Sequence, residues 1–158
     1  GDVYKRQLKR VNRSFIENNI GEGGYFVTAV YCTFALSRRE LRVSAAGHHA
    51  LPLLKRRNGE IEVIRMEGFP IGWFEEGGDY DERTLVLGRG DALLLYTDGL
   101  FDLCGDGPGA AFEDQIRSVA SMLARADADR EIRSMIAGRS GRNDRLKDDL
   151  TLLLVESG

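Results

Sequence analysis

Leu93-Leu94-Leu95-Tyr96-Thr97-Asp98-Gly99-Leu100 is a run of apolar, strand-forming residues that ends in an acid followed by a glycine. It reads as a buried β-strand carrying a carboxylate to its mouth, with Gly99 letting the chain leave sharply. Burying a bare carboxylate is too costly, so this acid must be paired, hydrogen-bonded or metal-bound. A second acidic stretch stands near the C-terminus. Lys147-Asp148-Asp149-Leu150-Thr151 leads into Leu152-Leu153-Leu154-Val155, so here the acids precede an apolar strand. Two strand-end carboxylate sites in one small domain point to a hard cation held on a sheet.

Working outward, the chain before this strand reads as short antiparallel strands in a meander. Tyr25 to Leu36 is rich in β-branched and aromatic residues, and Leu41 to Ala46 follows a polar turn, so the two form a hairpin. Leu51 to Arg56 and Ile61 to Arg65 flank Asn58-Gly59, a strong hairpin signal. Thr84 to Leu87 is a further strand, and Gly88-Arg89-Gly90-Asp91 turns the chain into Ala92–Thr97. Ahead of all these, Leu8, Val11 and Phe15 have helical spacing up to Asn18-Asn19. Behind them, Phe112, Ile116, Val119 and Leu123 mark one helix, with Glu113 and Asp114 well placed in its first turn. Ala128 to Ala137 marks another, capped by Asp127 or Asp129. Gly138 to Arg145 is a polar, basic loop, and Leu150 to Val155 returns as a strand. Strands, then helices, then one returning strand indicate an α+β domain.

The 158 residues suffice for one domain with a real core. A hydrophobic content of 42% and a charged content of 30% are those of a globular protein. The net charge of −3 supplies no basic field for nucleic acid. No apolar run approaches the roughly 20 residues needed to span a bilayer, and nothing marks the N-terminus for export, so a cytoplasmic location is expected. Cys32 lies in a strand-like run and Cys104 in a Gly-rich loop. Both read as free thiols of a reducing compartment.

Among the chemistry-bearing residues, Asp98 has a plainer reading as a turn aspartate that caps the strand end. Asp148 and Asp149 likewise read as solvated acids, pairing with Arg142 or Arg145. Against this, adjacent like charges repel, and a divalent cation relieves them. Carboxylates suit Mg²⁺ or Mn²⁺, whereas zinc uses Cys and His, and neither cysteine has ligand spacing with either histidine. In Ala46-Gly47-His48-His49, His48 sits at a strand end. It is read as satisfied by backbone groups, with acid–base work as the other reading; His49 is exposed. No nucleophile elbow exists, and Gly21-Glu22-Gly23-Gly24 lacks the Lys-Ser/Thr of a phosphate-binding loop. The basic stretch Arg139, Arg142, Arg145 and Lys147 reads as a solvated loop, or as a dock for an anionic substrate.

Taken in order, Ala46-Gly47-His48, Gly68-Phe69-Pro70-Ile71-Gly72, Gly90-Asp91-Ala92-Leu93-Leu94-Leu95-Tyr96-Thr97-Asp98-Gly99 and Asp148-Asp149-Leu150-Thr151 resemble the metal-dependent protein phosphatases of type 2C. The branch is that of the bacterial SpoIIE-like, sigma-regulating serine phosphatases. The resemblance implies an antiparallel β-sandwich flanked by helices. It also implies two Mn²⁺ or Mg²⁺ ions, which activate a bridging water to hydrolyse phosphoserine or phosphothreonine. Asp98 then matches the metal-bridging aspartate of the Thr-Asp-Gly motif and Asp148 a metal-ligand aspartate. These two are the implied catalytic and metal-binding residues. Asp149, Gly99, Gly47 and His48 take supporting places around them. Asp102 stands where the branch often has glutamate, and His49-Ala50-Leu51-Pro52 where it often has Asn-Pro-Pro. The implied substrate is a phosphorylated anti-anti-sigma domain, with a sensor or receiver domain upstream.

One departure is larger. The family's early Gly-Asp-x-x-Gly-x-Gly segment, whose aspartate bridges both metals, has no equivalent here. Asp2-Val3-Tyr4-Lys5-Arg6-Gln7 resembles the in-frame translation of a sequencing adapter. Residues 1–7 are therefore expected to be a scar, and residues 8–158 the C-terminal part of a phosphatase domain incomplete at its N-terminus. Alone, that part is expected to be inactive, because two carboxylate positions offer too few oxygens for two ions. Two other readings stay open: a phosphatase-like binding module without metals, and an unrelated α+β domain that binds a cation structurally.

Overall fold

The short β-branched and aromatic runs become seven strands, all paired antiparallel in two sheets, and the 3.6-residue repeats become four α-helices among the described residues. The computed structural model describes residues 2–75, 79–105, 109–125, 127–140 and 148–158. In chain order these elements are α1 (Asp2–Glu17), β1 (Ala29–Ala35), β2 (Glu40–Ala46), β3 (Leu53–Lys55), β4 (Ile61–Val63), β5 (Glu82–Val86), β6 (Ala92–Tyr96), α2 (Gly99–Cys104), α3 (Phe112–Leu123), α4 (Ala128–Ser140) and β7 (Leu152–Glu156). The chain forms two units: Gly1–His49 with Arg65–Leu87, and Ala50–Ile64 with Gly88–Gly158.

The first unit holds the sheet β1-β2-β5 and α1. The expected hairpin forms, with Ala29 opposite Ala46 and Ala35 opposite Glu40. Its first strand is shorter than the sequence suggests. Val27 leaves it to exchange both backbone hydrogen bonds with Ile71, at 2.9 and 2.8 Å. The buried face of α1 also differs from the expected stripe. Leu8 is buried and Phe15 half-buried, but Val11 is 49% exposed and Asn12 is buried in its place. Asn12 belongs there because both ends of its amide are engaged. Its Oδ1 accepts from Gly72 N at 2.8 Å and its Nδ2 donates to Phe74 O at 3.1 Å. A buried polar side chain is tolerated when it satisfies backbone groups that would otherwise be orphaned. Leu8, Ala46, Ile71 and Tyr80 pack into a small core around this point.

The second unit holds the sheet β4-β3-β6-β7 and α2, α3 and α4. β6 is central, paired to β3 and β7, which explains why its sequence is apolar without alternation. Leu53, Leu94, Tyr96, Leu100, Ile116, Val119 and Leu123 are among its core residues. Lys55, at the end of β3, donates its ammonium to Leu123 O at 2.9 Å and Arg125 O at 3.0 Å. That places a cation on the unsatisfied carbonyls at the C-terminus of α3. Asp127 caps α4 as expected, its Oδ1 accepting from Arg130 N at 3.1 Å.

Three expectations need correction. The strands do not form a meander: β2 pairs with β5 and β3 with β6, because the chain leaves the first sheet at Gly47 before β3 begins. Cys104 lies not in a loop but at the end of α2, which Gly105 closes in the left-handed conformation (φ 92°). A six-residue helix is too short to show periodicity. α4 runs through Gly138 to Ser140, since one glycine costs a helix only about 1 kcal/mol. The rest of the expected basic loop, with Arg142, Arg145 and Lys147, lies outside the described residues.

Candidate metal-ligand site at the mouth of the central strand

β6 ends at Tyr96, and α2 starts three residues later at Gly99. The ring of Tyr96 meets that of Phe101 edge-on at 5.8 Å, which seats α2 against the strand. Asp98 occupies the turn between them. It is exposed, not buried as the sequence suggested, because the chain bends into the helix at Asp98 and leaves its side chain outside. Nor does its carboxylate cap α2. The acidic stretch before β7 lies against this turn. A Cβ on Gly99 would stand 2.5 Å from Asp149 O and 3.1 Å from Asp148 O, so only glycine permits the contact. Asp148 and Asp149 are exposed, and Asp148 Oδ1 accepts from Asp149 N at 2.8 Å.

Thr97 ties the two turns together. Its Oγ1 donates to Asp149 O at 3.0 Å and accepts from Thr151 N at 2.9 Å. Its own N–H donates to Thr151 O at 3.1 Å. Neither threonine was singled out in the sequence. The available signal was that each sits in an acid-bearing motif at the end of an apolar strand.

The buried acid of β6 is instead Asp91, immediately before the strand. Its Oδ2 accepts from Arg56 Nη1 at 2.9 Å and Gly88 N at 2.8 Å, and its Oδ1 from Arg57 N at 2.9 Å. Burial pushes the Asp91 carboxyl up, but the hydrogen bonds from Arg56, Arg57 and Gly88 outweigh burial and hold it below the usual aspartate value. Arg56 also donates Nη2 to Glu62 Oε2 at 3.0 Å. Asp91 therefore fastens the hairpin turn of β3 and β4 to the start of β6.

Gly47 and His48 belong to the first unit, and Asp98, Gly99, Asp148 and Asp149 to the second. Gly47 has φ 60°, and a Cβ there would lie 2.5 Å from Pro70 Cγ. Its N–H donates to Gly68 O at 2.9 Å. The motifs around Gly47 and Gly68–Gly72 are thus two sides of one packed corner. His48 is half-buried with Nδ1 3.5 Å from Thr28 Oγ1, and His49 is exposed. Both cysteines are free thiols, and burial pushes Cys32 up to about 11, so it is no thiolate at neutral pH.

The sequence matches the family model described as Stage II sporulation protein E (SpoIIE) over residues 4–157. The chain belongs to the SpoIIE family. Solved SpoIIE-like structures share its fold. The RsbU and RsbW domains of Rv1364c from Mycobacterium tuberculosis match with a TM-score of 0.61 at 24% identity, over 95% of this chain and 46% of that one. The phosphatase domain of the cell fate determinant SpoIIE from Bacillus subtilis matches with 0.60 at 16% identity, over 96% and 71%. PppA, a regulatory component of T6SS in Pseudomonas aeruginosa, matches with 0.66 at 19% identity, over 98% and 68%. This SpoIIE-family chain thus spans about half of the first of these chains and roughly 70% of the other two. No curated protein matches it. The mixed helix and antiparallel-sheet architecture expected from the sequence is that of the type 2C phosphatase domains.

Within this SpoIIE-family fold, the residues at the mouth of β6 suit a divalent ion in kind. Asp98 and Asp148 offer hard oxygen donors, and neither enters a salt bridge among the described residues. They do not suit a pair of ions in number. No group of three or more His, Cys, Asp or Glu able to hold a metal occurs among the described residues.

Proposed function

We propose that the chain carries the C-terminal carboxylates of a metal-dependent protein serine/threonine phosphatase domain, with Asp98 and Asp148 as metal ligands. The observation that carries this reading is the joined pair of turns. Asp98 neither caps its helix nor forms a salt bridge among the described residues, and it stands against the turn that bears Asp148. A purely structural acid would resemble Asp91, buried and fully hydrogen-bonded. Two structural neighbours are described as a SpoIIE phosphatase domain presoaked with Mn and as RsbX in complex with magnesium, which supports Mn²⁺ or Mg²⁺ as the ion. The motif resemblance implies a phosphorylated anti-anti-sigma domain as substrate, and the RsbU and SpoIIE neighbours fit a partner-switching context. No helix among the described residues is long and apolar enough to cross a membrane.

The test compares the 158-residue chain with the same chain extended by its native upstream sequence, assaying phosphate release from a phosphoserine peptide with Mn²⁺. Turnover is expected only from the extended protein. Asp98→Asn in that protein should lower turnover at least about 100-fold, since even residues behind a metal ligand cost 10- to 100-fold. Unchanged turnover in that variant overturns the assignment of Asp98. The alternative reading is a phosphatase-like binding module without metals. It predicts no Mn²⁺-dependent turnover from the extended protein either.

A further inference from the structure

The β6–β7 ladder has Tyr96 opposite Leu152 as its last pair, so Thr97 and Thr151 stand just beyond it. An antiparallel ladder continued one step would have each threonine donate its N–H to the other's carbonyl. Half of that happens, since Thr97 N donates to Thr151 O at 3.1 Å. The other half is replaced. The Thr97 carbonyl accepts instead from Leu100 N at 3.0 Å, which opens α2. Thr151 N then donates to the Thr97 hydroxyl at 2.9 Å, and that hydroxyl donates onward to Asp149 O at 3.0 Å. A hydroxyl can do both at once, having one donor and two acceptor positions.

We infer that Thr97 is a positioning residue. Its hydroxyl substitutes for its own carbonyl in the ladder, so β6 turns into a helix at Asp98 while still holding the backbone of residues 149–151. Without it, the turn into α2 would leave the Thr151 N–H without its ladder partner, and the Asp148–Asp149 turn would lose its side-chain anchor to the strand end. The Gly99 contact with Asp149 O supplies the second point of registry. A valine at position 97 keeps the shape and removes both hydrogen bonds. A serine keeps both and removes only a methyl group. The consequence for function rests on the reading of Asp98 and Asp148 as one metal-ligand site.

Residue-resolved amide exchange on the 158-residue chain tests this, with Mn²⁺ alone as a probe of the acids. In Thr97→Val the Thr151 amide should exchange about tenfold faster or more, while Leu93, Leu94 and Leu95 stay protected; in Thr97→Ser all four should match the wild type. In the wild type and Thr97→Ser, Mn²⁺ should broaden the Gly99 and Asp149 amide signals together; in Thr97→Val it should uncouple them. Retained protection of Thr151 in Thr97→Val, or its loss in Thr97→Ser, overturns the inference whatever Mn²⁺ does. If exchange behaves as expected but Mn²⁺ broadens neither signal in the wild type even when the chain carries its native upstream sequence, the pin stands and the metal-ligand reading fails.

Discussion

Replacing Asp91 with alanine is expected to cost about 1–3 kcal/mol of folding stability, the usual consequence of leaving buried donors without their acceptor. The loss has three parts. The Arg56 guanidinium loses its buried counter-charge, and the Gly88 and Arg57 amides lose their acceptor. Equilibrium urea unfolding of the 158-residue chain measures it, and a loss under 1 kcal/mol would contradict the role assigned to Asp91. Asp98→Ala, by contrast, should stay within about 0.5 kcal/mol of the wild type, as exposed substitutions do. The two acids at either end of one strand are thus separated by experiment, one holding the fold and one spare for chemistry. The pH dependence has a definite sign. The folded Asp91 carboxyl lies below its ordinary value of about 3.9, so its contribution is complete above that pH and fades as pH falls through the lower folded value. The advantage of wild type over Asp91→Asn should therefore be flat from neutral pH to about 4 and shrink below it.

Gly47→Ala should destabilise the chain by roughly 2–5 kcal/mol. A left-handed backbone costs a non-glycine residue about 1–2 kcal/mol, and forcing a methyl into a filled space costs about 1–3 more. The second part comes from Pro70, whose ring carbons would stand 2.5 and 2.6 Å from the new Cβ. Pro70→Ala should therefore relieve part of the damage. A thermal-unfolding double-mutant cycle is expected to return a coupling of about 0.5–3 kcal/mol between the two positions. Zero coupling would leave backbone strain as the whole effect and remove the packing explanation.

Much of this architecture is written locally. Asn58-Gly59 marks its hairpin, β-branched runs mark β1 and β2, and Ile116, Val119 and Leu123 mark the inner face of α3. What escaped depends on partners distant in sequence. Asn12 is not legible as an inward residue because apolar spacing cannot show that Gly72 and Phe74 present an amide and a carbonyl to that face. The pairing of β2 with β5 is likewise a tertiary choice. At the site, Asp98 and Asp148 were legible as acids at strand ends, and the family match covers the motifs that hold them. The burial assigned to Asp98 went to Asp91 because the apolar strand between them shows that an acid must be compensated without showing at which end. The roles of Thr97 and Thr151 are not legible in sequence because a hydroxyl between two acidic turns declares its use only through geometry.

β7 closes its sheet at the outside, and Leu153, Leu154 and Val155 are exposed on it. No lysine or proline within Leu152–Glu156 guards that edge. Such a strand sets how crowded the molecule can become in solution. As concentration rises, copies are expected to meet along this outer strand, and each encounter would hide leucine from water. Leu154→Lys should raise the concentration at which light scattering first increases. The strand that follows the acidic turn would then also limit how much of this chain can be held in a tube.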